Sequence, residues 1–363
     1  MEMERLLKAT VQFKASDLHL QAGSPPVARV DGTMVPFSAP PLEAGQLREL
    51  VGQVADAEAL ERLEREKSCD ISWLVPGVAR FRINVFHEQG RLCVVARTIP
   101  LGIKPFEELG LPPVLREIAD EERGLVLVTG TTGSGKSTTL AAMVDHLNRT
   151  KRLRIVTIED PIEFVHESQK CLVAQREIGR DTPDFAESLK RALRQDPDVI
   201  LVGELRDAET MRIALQAADT GHLVFSTVHT TNASFTIQRI VSMFPPEERE
   251  LLQTQLSANL AAVVSQRLAS HKAKEKGRIP VVEVMRNTAV IRKAILEGRV
   301  TSLPQAIANR DGGMQLFDQH LADLWRAGQI TGTEALRLAT NPEAVALAMR
   351  GMSTLDTSSG LVR

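Results

Sequence analysis

Tyrosine is missing from this chain of 363 residues, and only two tryptophans are present. A platform for stacking single-stranded nucleic acid needs several aromatic faces, so that class of function is poorly supplied. Charge of one sign is missing as well: 44 Lys and Arg stand against 46 Asp and Glu, a net of -2. Neutralising a phosphate backbone usually demands a basic domain, so no nucleic-acid partner is expected. Cysteine is scarce. Cys69, Cys93 and Cys171 are odd in number and far apart, which fits neither a disulfide framework nor a CxxC metal site and suits a reducing compartment. No run approaches the roughly 18 apolar residues of a membrane span. The opening "MEMERLLKATVQFKASD" scatters charge where a secretory signal carries an apolar core. The expected location is cytoplasmic, with no direct membrane insertion, so any membrane role has to come through partners.

What is present suits two domains, since a single core rarely grows past roughly 250 to 300 residues. The first, over residues 1–100, begins with an amphipathic stretch (Leu6, Leu7, Val11, Phe13) and continues with two apolar runs around Asp31-Gly32. An Asp-Gly pair between such runs signals a hairpin, because both turn residues tolerate positive φ. Helical patterns follow from about 43 to 66, then strands "CDISWLV", "VARFRINVF" and "RLCVVARTI" with turns at Pro76-Gly77 and Gln89-Gly90. This reads as a small α+β domain. Next, "PLGIKPFEELGLPP" packs four prolines into fourteen residues. It is expected to be a linker without helices or strands, over about 101–113, and a hinge.

From residue 124 strands and helices alternate: "GLVLVTG", a helix from Lys136, "LRIVTIE", a helix over 184–193, "DVILVGE", a helix over 208–218, then "HLVFSTVH". These strands are continuous apolar runs, as expected where helices cover both faces, so the fold class is α/β with a doubly wound, mostly parallel sheet. The main domain spans 114–350, mainly helical after about 245, and 351–363 reads as a frayed tail.

The strongest chemical signal is "LVLVTGTTGSGKSTTL". It matches G-x-x-x-x-G-K-[ST] at Gly130, Gly135, Lys136 and Ser137, after an apolar strand and before a helix. Residues Gly130, Thr131, Thr132, Gly133, Ser134, Gly135, Lys136, Ser137 and Thr138 form the expected ATP-binding loop. Its backbone N–H groups curl around phosphate oxygens, and the helix N-terminus adds a favourable field. Lys136 then reaches the β and γ phosphates while the Ser137 hydroxyl ligates Mg2+.

Two strands bring carboxylates to the same sheet edge: "RIVTIEDPIEF" carries Glu159, Asp160 and Glu163, and "DVILVGELRD" carries Glu204. Ligands gather outside the carboxyl ends of strands in such sheets, so these acids should face the phosphates. One must help hold the metal and one must orient or deprotonate the attacking water; spacing alone does not assign them. In "TGHLVFSTVHTTNA", His222 and His229 are separated by an odd number of strand positions and fall on opposite faces. They are not expected to share a metal.

In this order and spacing, "SDLHLQAG", "GTTGSGKSTT", "IEDPIEF", "DPDVILVGELRD" and "TGHLVFSTVHT" resemble the secretion ATPase superfamily, most closely its type IV pilus retraction, PilT-like branch. The resemblance runs from about residue 5 to 350. It implies a PAS-like N-terminal domain, a RecA-like motor domain and a helical C-terminal part. It also implies a homohexameric ring that hydrolyses ATP to drive pilus retraction and twitching motility. Glu163 would position or activate the water, and Glu204 would take the Walker B place and help hold Mg2+, through water. His222 and His229 would link phosphate to the next subunit, and Arg80, Arg82 and Arg97 would reach the nucleotide from a neighbouring or moving domain. The partners implied are an inner-membrane platform protein at the pilus base and a paralogous pilus ATPase. Extension and type II secretion ATPases usually carry a tetracysteine zinc element in the motor, whereas here Cys171 is the single cysteine after residue 93. The alternatives are an accessory or regulatory ring, an extension motor, and a nucleic-acid translocase suggested by the core fold alone.

Overall fold

The computed structural model describes residues 2–30, 32–100, 102–273 and 277–352. Asp31 of the expected hairpin turn and residues 353–363 of the expected tail lie outside the described residues. The chain divides into two compact units. One comprises Met1–Gly102 with the short segment Glu163–Val165, and the other comprises Ile103–Ile162 and His166–Arg363.

The first unit is built on strands β1 (Asp17–Gln21), β2 (Val27–Val30), β3 (Thr33–Pro36), β4 (Ser68–Val75), β5 (Ala79–Glu88) and β6 (Arg91–Pro100). They form one antiparallel sheet in the order β3-β2-β1-β6-β5-β4. Alternation along each strand sorts the side chains. Leu18, Leu20, Ala28, Ile71, Phe81, Ile83, Val85, Val94 and Ala96 face a core completed by Met3, Leu6 and Leu7 of the helix Met3–Gln12 and by Leu47, Leu50 and Leu63 of the next two helices. The register puts a polar row across the opposite face: Arg29, Asp17, Arg97, Arg82 and Ser72 stand opposite one another in turn.

The second unit contains β7 (Gly124–Thr129), β8 (Arg154–Glu159), β9 (Leu172–Glu177), β10 (Val199–Val202), β11 (Leu223–Val228), β12 (Leu260–Ser270) and β13 (Arg278–Arg286). Their order is β13-β12-β7-β11-β10-β8-β9, parallel except for the β12–β13 hairpin. Every residue of β7, β10 and β11 is buried. Leu125 and Leu127 enter a core under the helix Ala208–Asp219, whereas Val126 and Val128 enter one under the helix Lys136–Thr150.

Three features depart from expectation. The region after 245 is mainly helical, as expected, but it also holds two strands: the helix Arg249–Asn259 runs directly into β12, and β13 follows. Alanines at 258, 261 and 262 extend the helical pattern, and a strand buried on both faces has no alternation to betray it. Strand β9 was also not expected. Finally, the proline-rich segment contains a single helical turn, Phe106–Leu109, whose Phe106 is buried. Pro105 ends just before that turn with the extended backbone a helix N-cap requires.

His320, in the helix Phe317–Arg326, is buried and accepts a hydrogen bond at Nδ1 from the Val282 N–H at 3.0 Å. Burial pushes its pKa down to about 4. The unfolded chain therefore binds more protons than the folded one between about pH 6.5 and 4. Its stabilising contribution is whole above pH 6.5 and disappears as pH falls through 4, a loss on the order of 3 kcal/mol. Thermal melts from pH 8 to 4.5 should fall more steeply for the natural protein than for His320→Gln, which keeps an acceptor and cannot titrate. Parallel curves would remove this account.

Candidate functional site

The fully buried β7 ends at Thr129 and delivers the next residue, Gly130, to the carboxyl edge of the sheet. A Cβ at Gly130 would lie 2.5 Å from the Gln266 carbonyl oxygen and from Ser134 Oγ, and its φ of 145° favours glycine. At Gly135, φ is 91° and a Cβ would lie 2.7 Å from Gln266 Nε2. Both positions therefore exclude a side chain, leaving backbone N–H groups to line the loop. Gly135 caps the helix Lys136–Thr150 without a side chain of its own, so the first N–H groups of that helix remain open to an anion. The Lys136 ammonium is buried and donates to the carbonyls of Gly130 (2.9 Å) and Thr131 (3.2 Å). Ser134 Oγ is buried without a hydrogen-bond partner among the described residues. Thr131, Thr132 and Gly133 are exposed at the tip, and Ser137 and Thr138 are half-buried in the first helical turn. This donor set, with a cradle that a single Cβ would fill, suits a polyphosphate.

Strand β12 braces the loop. Thr139 Oγ1 donates to Gln266 Oε1 at 2.7 Å, and Thr129 Oγ1 donates to Ser265 Oγ at 2.8 Å. Neither Gln266 nor Ser265 was expected from sequence. The available signal was the polar pair inside the apolar run "AAVVSQRLA".

Glu204 emerges two residues beyond β10. Its carboxylate pairs with the Arg206 guanidinium and lies 3.6 Å from His229 Nε2, with the Glu204 side chain 13% exposed. The hydrogen bond to Glu204 raises the Arg206 pKa further. Val228 lies opposite Thr129, so His229 and Gly130 leave the sheet at the same level. His222 does not join them. It precedes β11 at the other edge, with Nδ1 at 2.9 Å from the Ala217 carbonyl, and the intervening strand puts it roughly 20 Å from His229.

The other acids separate. Glu159 accepts from Thr157 Oγ1 at 2.6 Å and from Gln175 Nε2 at 3.1 Å. Glu163 is exposed and belongs to the segment that groups with the antiparallel unit. Within that unit Arg80 Nε donates to Ser72 Oγ at 2.8 Å, Arg82 Nε lies 3.4 Å from Asp70 Oδ1, and Arg97 Nε donates to Asp17 Oδ1 at 2.9 Å. Burial alone would raise the Asp17 pKa, but the Ser16 hydroxyl and Arg97 outweigh it and hold the carboxyl below its usual value. Arg82 and Arg97 stand directly opposite each other, an arrangement that costs stability unless something negative lies over it.

Residues 3–337 match the family described as type II/IV secretion system protein. The type IV pilus retraction ATPase PilT of Pseudomonas aeruginosa is 49% identical over 344 residues, which cover 94% of this chain and 99% of that protein. A twitching motility protein of Neisseria gonorrhoeae is 44% identical over 88% of this chain and 86% of its own length. The crystal structure of the pilus retraction motor PilT with bound ADP superposes with a TM-score of 0.89 at 41% identity, covering 94% of this chain and 98% of that one.

Two substitutions test the cradle. Gly135→Ala, which needs both a strained φ and displacement of Gln266, should abolish binding of a fluorescent ATP analogue. Gln266→Ala should weaken that binding about tenfold, the scale of one buried hydrogen bond with its partner left unpaired. Unchanged affinity in both would show that the loop is not the nucleotide site.

Proposed function

Because the chain belongs to the type II/IV secretion system protein family, we propose that its loop-and-acid edge runs a pilus retraction motor driven by ATP hydrolysis. The observation that carries this reading is the convergence, on one edge of one sheet, of the Gly130–Thr138 cradle with the Glu204–His229 pair. The parallel unit acts as a RecA-like motor and the antiparallel unit as a PAS-like partner, taken as residues 114–350 and 1–100, with 101–113 as the hinge. Six copies form a ring in the cytoplasm at the inner membrane. There the ring engages a platform protein at the pilus base and a paralogous pilus ATPase.

In the cycle, backbone N–H groups of the loop and of the helix that begins at Lys136 hold the phosphates, and Lys136 supplies positive charge. Ser137 and Glu204 would hold Mg2+, which neutralises phosphate charge when bound. Glu163 orients a water and takes its proton as the water oxygen bonds to the γ phosphorus. The bond to the bridging oxygen breaks and the electron pair leaves with ADP. Arg80, Arg82 and Arg97 come from a neighbouring subunit or a moving domain, and their charge favours the transition state over bound ATP. This also accounts for the two opposed arginines, since a triphosphate would relieve their repulsion. His229 reads the phosphate state beside Glu204, while His222, at the far edge, serves the contact with the next subunit.

Glu163→Gln should retain ATP binding while turnover falls by about a hundredfold or more, the usual loss for a missing general base. Wild-type turnover would transfer the role to another carboxylate. Deleting the gene in its host should leave abundant surface pili and abolish surface motility. Bald cells would assign the motor to extension instead, and normal pili with normal motility would assign an accessory or regulatory role.

A further inference from the structure

A row of residues crosses the carboxyl edge of the parallel unit in strict register. Val228 of β11 lies opposite Thr129 of β7, Thr129 lies opposite Ser265 of β12, and Ser265 lies opposite Glu283 of β13. Two functional loops begin one residue beyond this row, at Gly130 and at His229. The polar members are buried, and Thr129 and Ser265 are joined by a hydrogen bond. At the end of the row, Glu283 Oε1 accepts from the Ala233 N–H at 2.8 Å. Ala233 is the first residue of the helix Ala233–Ser242, whose Phe235 N–H is taken by the N-cap Asn232.

The four residues His229–Asn232 are thus suspended between two fixed points. One is Val228, set by the pairing of β11 with β7, and the other is Ala233, set by Glu283. Thr230 adds a local tie to Thr236 at 2.7 Å. We propose that Glu283 is a positioning residue for ATP hydrolysis: by holding the start of this helix it sets where His229 stands relative to Gly130 and Glu204. This inference rests on the ATPase reading of the site.

A buried carboxylate is an expensive way to cap a helix when a neutral side chain serves. The charged groups facing Glu283 are Arg267 of β12 and Asp318 of the helix Phe317–Arg326. Arg267 also lies 3.9 Å from the Phe317 ring centroid. Burial dominates the balance and pushes the Glu283 pKa up to about 7. Near neutrality the group therefore changes between a carboxyl and a carboxylate, and the carboxylate accepts more strongly at a helix N-terminus.

The test compares the full-length protein with Glu283→Gln and Glu283→Ala. The readouts are kcat and KM for ATP from pH 6 to 8.5, thermal melting, and amide hydrogen exchange over residues 230–236. The natural protein should show a rise in kcat through pH 7; Glu283→Gln should fold normally, lower kcat at pH 8 by about fivefold to tenfold, leave KM within about twofold, and lack that rise. Glu283→Ala should lose more turnover and exchange the 230–236 amides faster, with Gln restoring part of that protection. Natural kcat, pH profile and exchange in Glu283→Gln would overturn the proposal. So would losses in both variants that merely follow a lower melting temperature. If the natural protein did not hydrolyse ATP, the ATPase reading would fail instead, and exchange over 230–236 would still decide whether Glu283 holds the loop.

Discussion

The position of β7 between two parallel neighbours governs most of what this molecule can do. Backbone pairing on both sides fixes Thr129 against Val228 of β11 and Ser265 of β12. The first residue of the phosphate loop therefore leaves the sheet beside two side-chain sources, one supplying His229 and the other Gln266. Burial on both faces makes a slip in register costly, because each strand residue already fills a core on one side or the other. The loop then has little freedom of its own. Gly130 approaches the Gln266 backbone too closely for any Cβ, and Thr139 returns a hydrogen bond to the Gln266 side chain. A site preorganised in this way does not have to be assembled each time a ligand arrives.

The legible parts of the sequence were those governed by local chemistry. The glycine spacing and the lysine of the loop, the buried strands before Gly130 and Glu204, and the hairpins of the antiparallel unit each carry their reason within a dozen residues. β12 and β13 were hidden because their signal is tertiary. An alanine-rich run continuing a helix becomes a strand only because β7 offers it a pairing edge. Gln266 was hidden for the same reason, since its role depends on Thr139, more than a hundred residues earlier. His222 is a different case: the family resemblance gave it and His229 one shared role, and a six-residue strand sets the two at opposite edges of the sheet. The single helical turn at Phe106–Leu109 adds that proline-rich chain excludes long helices and tolerates one that starts just after a proline.

The two units divide the electrostatic work. The antiparallel unit uses one sheet face for its core and puts Arg82 and Arg97 together on the other, where Asp70 and Asp17 offset them only in part. Such a surface gains most from a polyanion. The parallel unit takes the reverse approach. Its Glu204 carboxylate is already paired with Arg206 and lies 3.6 Å from His229 Nε2, so the acid is held in place and partly neutralised by the guanidinium.

Lys136 makes the same argument from the other side. Its buried ammonium is satisfied by the carbonyls of Gly130 and Thr131, neutral acceptors supplied by the loop it serves. An unpaired ammonium there would lose its proton or open the loop to water. Carbonyl partners avoid both outcomes at the cost of weaker hydrogen bonds than a phosphate offers. At these two contacts a triphosphate exchanges neutral acceptors for charged ones.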